Sequence, residues 1–297
     1  MAVREQARQR SAVLIRPFMP EQHQRFFESL SLAFVATLDH AGHPQADALV
    51  GRPGMLRAVT PTLLVVHDTP SEHALHSLRS GTSLGLLGID FANGRRNRAN
   101  GLVERHDGDR LALRVTHSFG NCPRYIHVRR PDPSAAAVTT TLDPRTLVET
   151  AATFFIASRS AQLDPSRGGG VDISHRGGEP GFVRWADDTV FFDDVAGNNF
   201  FNTLGNIASD PRVSLLFIDF EGGRQLHIAG DAVLVTPVAT KQVRVRVRVR
   251  STTLVSEMPG LRWPLVTSAS PCSSCATGET SPAARSPVPH LPTEEST

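Results

Sequence analysis

Two stretches of the chain read as copies of one another: LHSLRSGTSLGLLGIDF at residues 75–91 and LGNIASDPRVSLLFIDF at residues 204–220. Each runs from a short helical pattern into a strongly apolar strand, and each ends on Ile-Asp-Phe. The likeness extends outward in both directions. Asn93-Gly94-Arg95 follows the first copy and Gly222-Gly223-Arg224 the second. Upstream, Gly51-Arg-Pro-Gly-Met55 matches Gly178-Glu-Pro-Gly-Phe182, and earlier still Phe34-Val-Ala-Thr37 matches Phe155-Ile-Ala-Ser158. The offset is 129 from Ile89 to Ile218 and 127 from Pro53 to Pro180, so few insertions separate the copies. Duplication is the simplest account.

Within each copy the pattern is mostly strand. LLVVHD (63–68), VSLLFIDF (213–220) and LHIAGDAVLV (226–235) are short, β-branched-rich runs bounded by turn residues. A strand is expected to open near Gly101 in the first copy and near Gly230 in the second. Helices are few. PEQHQRFFESL (20–30) places Phe26, Phe27 and Leu30 at helical spacing, and TPSEHALHSLRSG (69–81) does the same for Leu75 and Leu78. A third helix starts at 142–150, with Asp143 as cap and Pro144 in its first position. The fold class that follows is mainly β with a few helices, arranged as two tandem small barrels rather than a βαβ sheet. The domain division is an extension at 1–19, a first repeat at 20–130, a linker at 131–141, a second repeat at 142–266 and a disordered tail at 267–297. In KQVRVRVRVR (241–250) valines alternate with arginines, which reads as a strand with a solvated or edge-protecting face.

At 297 residues, with 31 basic and 29 acidic side chains, the chain has room for two cores and no basic surplus to mark a nucleic-acid binder. No apolar run approaches the roughly 20 residues that span a bilayer, and the N-terminus lacks a secretory pattern. The expectation is a soluble, cytoplasmic protein. Three cysteines make no disulfide framework. Cys272 and Cys275 read as thiols of the tail, and Cys122 as a turn residue. His73 and His76 lie three apart on one helical face without a third ligand, so no metal site is expected.

Three stretches stand out for chemistry: Val171-Asp-Ile-Ser-His-Arg-Gly-Gly-Glu-Pro-Gly-Phe-Val183, Asp193-Asp-Val-Ala-Gly-Asn-Asn-Phe-Phe-Asn-Thr-Leu-Gly-Asn-Ile207, and His117-Ser-Phe-Gly-Asn-Cys-Pro-Arg-Tyr-Ile126. Together they resemble the pyridoxamine 5′-phosphate oxidase-like, flavin-nucleotide-binding superfamily, over about residues 20–265. The resemblance implies split β-barrels with FMN in a cleft between two of them. Relatives usually make that cleft by homodimerisation. The duplication implies that one chain supplies both sides as a monomeric pseudo-dimer, with a homodimer as the alternative.

Carried onto this chain, the cofactor-binding residues are Ser174, His175, Arg176, Gly177 and Gly178, followed by Asn198, Asn199, Asn202, Thr203 and Asn206. A phosphate dianion calls for N–H groups, hydroxyls and an arginine, and glycines let backbone come close. Many relatives carry arginines after the Gly-Asn pair, where this chain has Asn199-Phe200-Phe201. Arg176 is therefore the leading phosphate partner, with Arg184 and Arg212 behind it. The first copy has Ala46-Asp-Ala-Leu-Val-Gly51 in place of the Ser-His-Arg-Gly-Gly segment, so the second repeat is expected to hold the flavin and the first to act as scaffold or cover. Gly94-Arg-Arg-Asn-Arg-Ala-Asn-Gly101 has two readings: a basic segment that reaches across to the phosphate, or a solvated hairpin. Taken without the resemblance, Gly177, Gly178, Gly197, Asn198 and Asn199 read as turn residues.

The function implied is FMN binding by a flavin-dependent oxidoreductase acting on an unidentified small molecule, with a diffusible electron donor. The alternatives are a non-catalytic flavin carrier, or a split barrel that binds haem or a deazaflavin. No catalytic residue is assigned, because the flavin supplies the redox chemistry. Ser174 and His175 are neighbours on a strand and point to opposite faces, so they form no nucleophile–base pair. Neither nucleic acid nor a membrane is expected as a partner.

Overall fold

The computed structural model describes residues 14–67, 75, 78–107, 109–132, 142–195, 201–237, 242–255, 258 and 260–266. In the first repeat, helix α1 (Glu21–Glu28) precedes strands β1 (Leu32–Leu38), β2 (Pro44–Val50), β3 (Leu56–Thr60), β4 (Leu63–His67), β5 (Ser83–Asp90), β6 (Arg95–Asp107) and β7 (Arg110–Asn121). In the second, α2 (Pro144–Thr150) precedes β8 (Thr153–Arg159), β9 (Val171–Gly177), β10 (Val183–Ala186) and β11 (Thr189–Asp193). Helix α3 (Asn202–Ser209) and strands β12 (Arg212–Asp219), β13 (Arg224–Val235) and β14 (Arg244–Val255) complete it. The strand order is β2-β1-β5-β6-β7-β4-β3 in one sheet and, read from the matching end, β9-β8-β12-β13-β14-β11-β10 in the other. The two orders are the same. The chain is two tandem split β-barrels of one topology, arranged as a pseudo-dimer.

The apolar runs are continuous because their strands are buried on both faces. Side chains alternate along a strand, and here each face has its own core. On β1, Ala33 and Val35 enter the core of the first barrel, while Leu32, Phe34 and Ala36 enter a third core between the barrels. On β8, Phe154 and Ile156 fill the second barrel, while Phe155 and Ala157 join the shared core. Strands β5 and β12 divide in the same way, sending Ile89 and Ile218 to the shared core. Residues equivalent in the two copies meet there. Phe34 stacks on Phe155 with ring centroids 3.6 Å apart, and Phe91 meets Phe220 edge-on at 5.7 Å. A pseudo-twofold axis therefore passes between these pairs, as in an isologous dimer interface.

Local chemistry accounts for the ends of the elements. Asp143 caps α2 by accepting from Thr146 N–H at 2.8 Å. In α1, Phe26 and Phe27 are buried as their spacing predicts. Gly54 and Gly181 take φ of 93° and 91° in corresponding turns, a region that favours glycine.

Three expectations are corrected. Strands β6 and β13 do not open near Gly101 and Gly230; they open at Arg95 and Arg224, and the glycines sit in mid-strand at register shifts. A Cβ on Gly101 would lie 1.9 Å from the Arg114 carbonyl oxygen, and one on Gly230 would lie 2.3 Å from that of Arg248, so each bulge requires glycine. The arginine face of β14 is solvated as expected, with Arg246, Arg248 and Arg250 exposed, but it protects no edge, because β14 lies between β13 and β11. Arg244, Arg248 and Arg250 pair instead with Asp193, Asp188 and Asp231 on the outer face. Finally, Gly94–Gly101 is not a solvated hairpin, since its alternate side chains cross to the second barrel. Most of the helix expected at 69–81, most of the linker, the tail with Cys272 and Cys275, and His73 and His76 lie outside the described residues. Leu75 and Leu78 are both buried.

Candidate functional site

Strand β9 is the free edge of its sheet. Its unpaired backbone is met by β6 of the other barrel, whose residues 96, 98 and 100 share one face. Arg98 Nε donates to the Ile173 carbonyl at 3.0 Å, and Arg98 Nη2 donates to Ser174 Oγ at 2.5 Å. Arg98 Nε also lies 3.3 Å from Asp172 Oδ1, and Asn100 Nδ2 donates to the same oxygen at 2.8 Å. Arg96 Nη1 lies 3.0 Å from His175 Nδ1.

Ser174 is the hub of this contact. It accepts from Arg98 and from Thr203 Oγ1 (2.9 Å) and donates its single proton to Asp172 Oδ2 (3.1 Å). The buried charges of Arg98 and Asp172 are thus paired and hydrogen-bonded, the condition for burying them.

Beside this layer lies a cleft of about 180 Å³, lined from the first repeat by Arg96, Arg98, Asn121, Arg124 and Tyr125. The second repeat contributes Ser174, His175, Arg176, Gly177, Asp194, Asn202 and Thr203 among others. Arg176 Nη1 donates to Asp194 Oδ1 at 2.8 Å. Among the described residues, four buried polar side-chain atoms of this lining have no partner: Arg96 Nε, Arg176 Nε, His175 Nε2 and Asn121 Oδ1.

The guanidinium of Arg96 can only donate, so His175 Nδ1 must accept and Nε2 must carry the proton. Burial, reinforced by Arg96 and Arg176, holds the His175 pKa well below the ordinary histidine range, which keeps the ring neutral. Burial also pushes Arg96 down to about 10, with Arg98 and Arg176 adding to the effect. Arg96 remains charged at neutral pH. Three of the four orphaned atoms are therefore donors, two of them on cations, and the fourth, Asn121 Oδ1, is an acceptor.

Of the expected site residues, Ser174, His175, Arg176, Gly177, Asn202 and Thr203 come together in this cleft. Asn206 lines a neighbouring cleft with Asn202, and its Nδ2 donates to Ser158 Oγ at 3.1 Å. Gly178 lines neither. A Cβ there would meet the Phe182 ring at 2.7 Å, so it is a packing glycine. Asn198 and Asn199 lie outside the described residues. Arg212 is taken by Asp210, and Arg184 is exposed on β10.

Arg96 and Arg98 were not among the expected binding residues. Their signal lies in the alternation of Arg96, Arg98 and Asn100, which puts three polar groups on one strand face. The pseudo-symmetric site does not repeat the arrangement. At the offsets of 129 and 127, Gln225 and His227 correspond to Arg96 and Arg98, and Asp47 to Ser174.

No helix among the described residues is long and apolar enough to cross a membrane. No group of three His, Cys, Asp or Glu side chains gathers among them to hold a metal ion.

No family model matches the chain, and no curated protein matches it. Three solved structures are similar to parts of it. HupZ of Group A Streptococcus is 14% identical, covers 39% of this chain and 95% of its own, and has a TM-score of 0.30. An F420 reductase is 16% identical over 38% of this chain and 98% of its own, with a TM-score of 0.29. A candidate pyridoxamine 5′-phosphate oxidase from Lactobacillus delbrueckii is 18% identical over 36% of this chain and 98% of its own, with a TM-score of 0.28.

Proposed function

We propose that this chain binds FMN in the inter-barrel cleft, by its phosphate, and acts as a flavin-dependent oxidoreductase on a small molecule. The observation that supports the reading is the set of three buried, unpartnered donors, Arg96 Nε, Arg176 Nε and His175 Nε2, on one cleft. A buried donor without an acceptor is costly, and two of these belong to guanidinium groups held close together. A phosphate dianion would satisfy all three and offset the cationic repulsion.

The residues present fit the group. The donors are of the right sign and number, and Gly177 lets the Tyr125 backbone of the first repeat close up to the cleft wall, since a Cβ there would meet the Tyr125 carbonyl oxygen at 2.1 Å. The volume of about 180 Å³ suits a phosphoryl group and part of a polyol; whole ligands usually need roughly 300 Å³ or more. The tricyclic ring would therefore extend beyond this cleft.

In this reading Arg96 and Arg176 hold the anionic end from opposite repeats. Ser174, locked by Arg98, Thr203 and Asp172, keeps β9 and β6 in register around it. Phe182, Phe192 and Leu204 give the cleft its apolar walls. Bound FMN would supply the hydride or electron transfer. The electron donor and the substrate would be diffusible small molecules.

The test is reconstitution with FMN followed by gel filtration with mass measurement. Flavin absorbance retained on a species of one chain's mass is the expected outcome, since one chain contributes both walls. Absence of flavin uptake sinks the cofactor assignment, and uptake only by a two-chain species sinks the pseudo-dimer. FMN bound without turnover of any reduced donor would favour the carrier reading. A haem or deazaflavin spectrum in the protein as isolated would favour those ligands instead.

A further inference from the structure

The geometry points to a second binding site beside the first, for a small neutral or cationic molecule that donates hydrogen bonds to Asn100 and His117. The site does not depend on the flavin reading. It is a cleft of about 300 Å³ between β6 and β7 of the first barrel and β9 and α3 of the second. It meets the cationic cleft at Phe201 and Asn202, which line both.

This cleft lacks the cationic donors that dominate its neighbour. The Asn100 amide is oriented by Asp172, since Nδ2 donates to Oδ1 at 2.8 Å and a flipped amide would set oxygen against carboxylate. That orientation leaves Asn100 Oδ1 buried without a partner. The orphaned atom is an acceptor, whereas three of the four in the first cleft are donors, two of them cationic.

A second acceptor follows from the same strand pair. Thr116 donates its hydroxyl proton to the Asn100 carbonyl at 3.2 Å. With that proton used, Thr116 Oγ1 can only accept from His117 Nδ1, 3.0 Å away. The His117 proton therefore sits on Nδ1 and Nε2 keeps its lone pair. Burial lowers the His117 pKa, with Asp172 opposing, so the neutral ring is favoured.

Asp172 lies at the same cleft with its charge paired to Arg98, and among the described residues none of the lining is Lys or Arg, whereas four arginines line the first cleft. An anion would meet a carboxylate and two lone pairs. An amide, amine or hydroxyl would find acceptors for its protons. Ile15, Phe119 and Phe201 offer apolar contact to a flat or aliphatic body. The two clefts thus sort ligands by charge, with an anion in one and a proton-donating molecule in the other, close enough at Phe201 to touch.

The test uses benzamide and benzoate, which share a ring and similar bulk but differ in donor capacity and charge. Binding is read from the His117 ring resonances of histidine-labelled protein, with and without saturating FMN. Benzamide is expected to shift those resonances and to bind at least tenfold more tightly than benzoate. Asn100→Leu and Thr116→Val should each weaken it tenfold or more, and Thr116→Val should leave FMN uptake unchanged. Thr116→Val is nearly isosteric and covers the case in which Asn100→Leu fails to fold. Failure of benzamide to bind, equal or tighter binding of benzoate, or indifference to both substitutions would overturn the assignment. Displacement of FMN by benzamide would also overturn it, by showing one site where two are proposed. FMN uptake is scored separately by absorbance, so either assignment can fail alone.

Discussion

Arg96 and Arg98 are two residues apart on one strand, yet they are expected to respond differently to substitution. Arg98 is tied to Asp172, Ile173 and Ser174. Arg98→Ala leaves Asp172 without its cation in a buried position, and a loss of about 3–5 kcal/mol is expected, measured by urea unfolding. Arg96 has no carboxylate partner among the described residues and lies near two other arginines. Arg96→Met keeps the aliphatic stem and should leave the unliganded protein at least as stable. It should weaken FMN binding by about tenfold to a hundredfold, as loss of a charge-assisted bond does; wild-type affinity in a fluorescence titration would remove Arg96 from the site. Three histidines give the pH dependence. Burial lowers the pKa of His23, His117 and His175, so the unfolded chain, near 6.5, binds more protons than the folded one in mild acid. Stability should be full above about pH 6.5. It should fall as the pH drops from there toward the folded values, by about 1.4 kcal/mol per pH unit for each histidine within its window. Urea midpoints at pH 7.5, 6.5 and 5.5 check this, and His175→Gln should flatten the slope.

At the scale of elements, the two bulges set a second test. Gly101→Ala forces a Cβ to 1.9 Å from the Arg114 carbonyl oxygen, whereas Gly54→Ala meets nothing within 4 Å and carries only the strain of φ 93°. A loss of about 1–3 kcal/mol is expected for the first, as for overpacking, and a smaller one for the second. Equal losses would mean that the bulge accommodates a side chain. These glycines also mark what was legible in the sequence. The Ile-Asp-Phe and Pro-Gly matches suffice to pair β5 with β12 and the two β2–β3-type turns, because local patterning repeats with the chain. A mid-strand glycine, by contrast, looks like a strand boundary, because the reason for it is a carbonyl on the neighbouring strand. The same holds at the site. Ser174 and Arg176 could be named from one continuous stretch and Thr203 from another. The partners of β9 come from a strand about 75 residues earlier, Arg98 to Ile173, and nothing local to β6 states which barrel its polar face meets.

At the scale of the molecule, the shared core makes the two barrels one folding unit. Phe34 and Phe155 are equivalent and in contact, so Phe34→Ala and Phe155→Ala should each cost about 3–5 kcal/mol. The double variant should lose less than their sum, because each first substitution already removes the other's partner; additive losses would argue against the stacked pair. Chemical denaturation should show a single transition for both repeats. The internal symmetry is that of the fold and not of the chemistry. Where one of the two pseudo-symmetric sites between the barrels places Arg96, Arg98 and Ser174, the other has Gln225, His227 and Asp47. Two identical subunits must accept every change at both of their sites together. A covalently joined pair is released from that rule, so one of its two inter-barrel sites can specialise in ligand capture while its twin keeps only the architecture. Such an arrangement should saturate at one anion per polypeptide, half the occupancy of a symmetrical assembly.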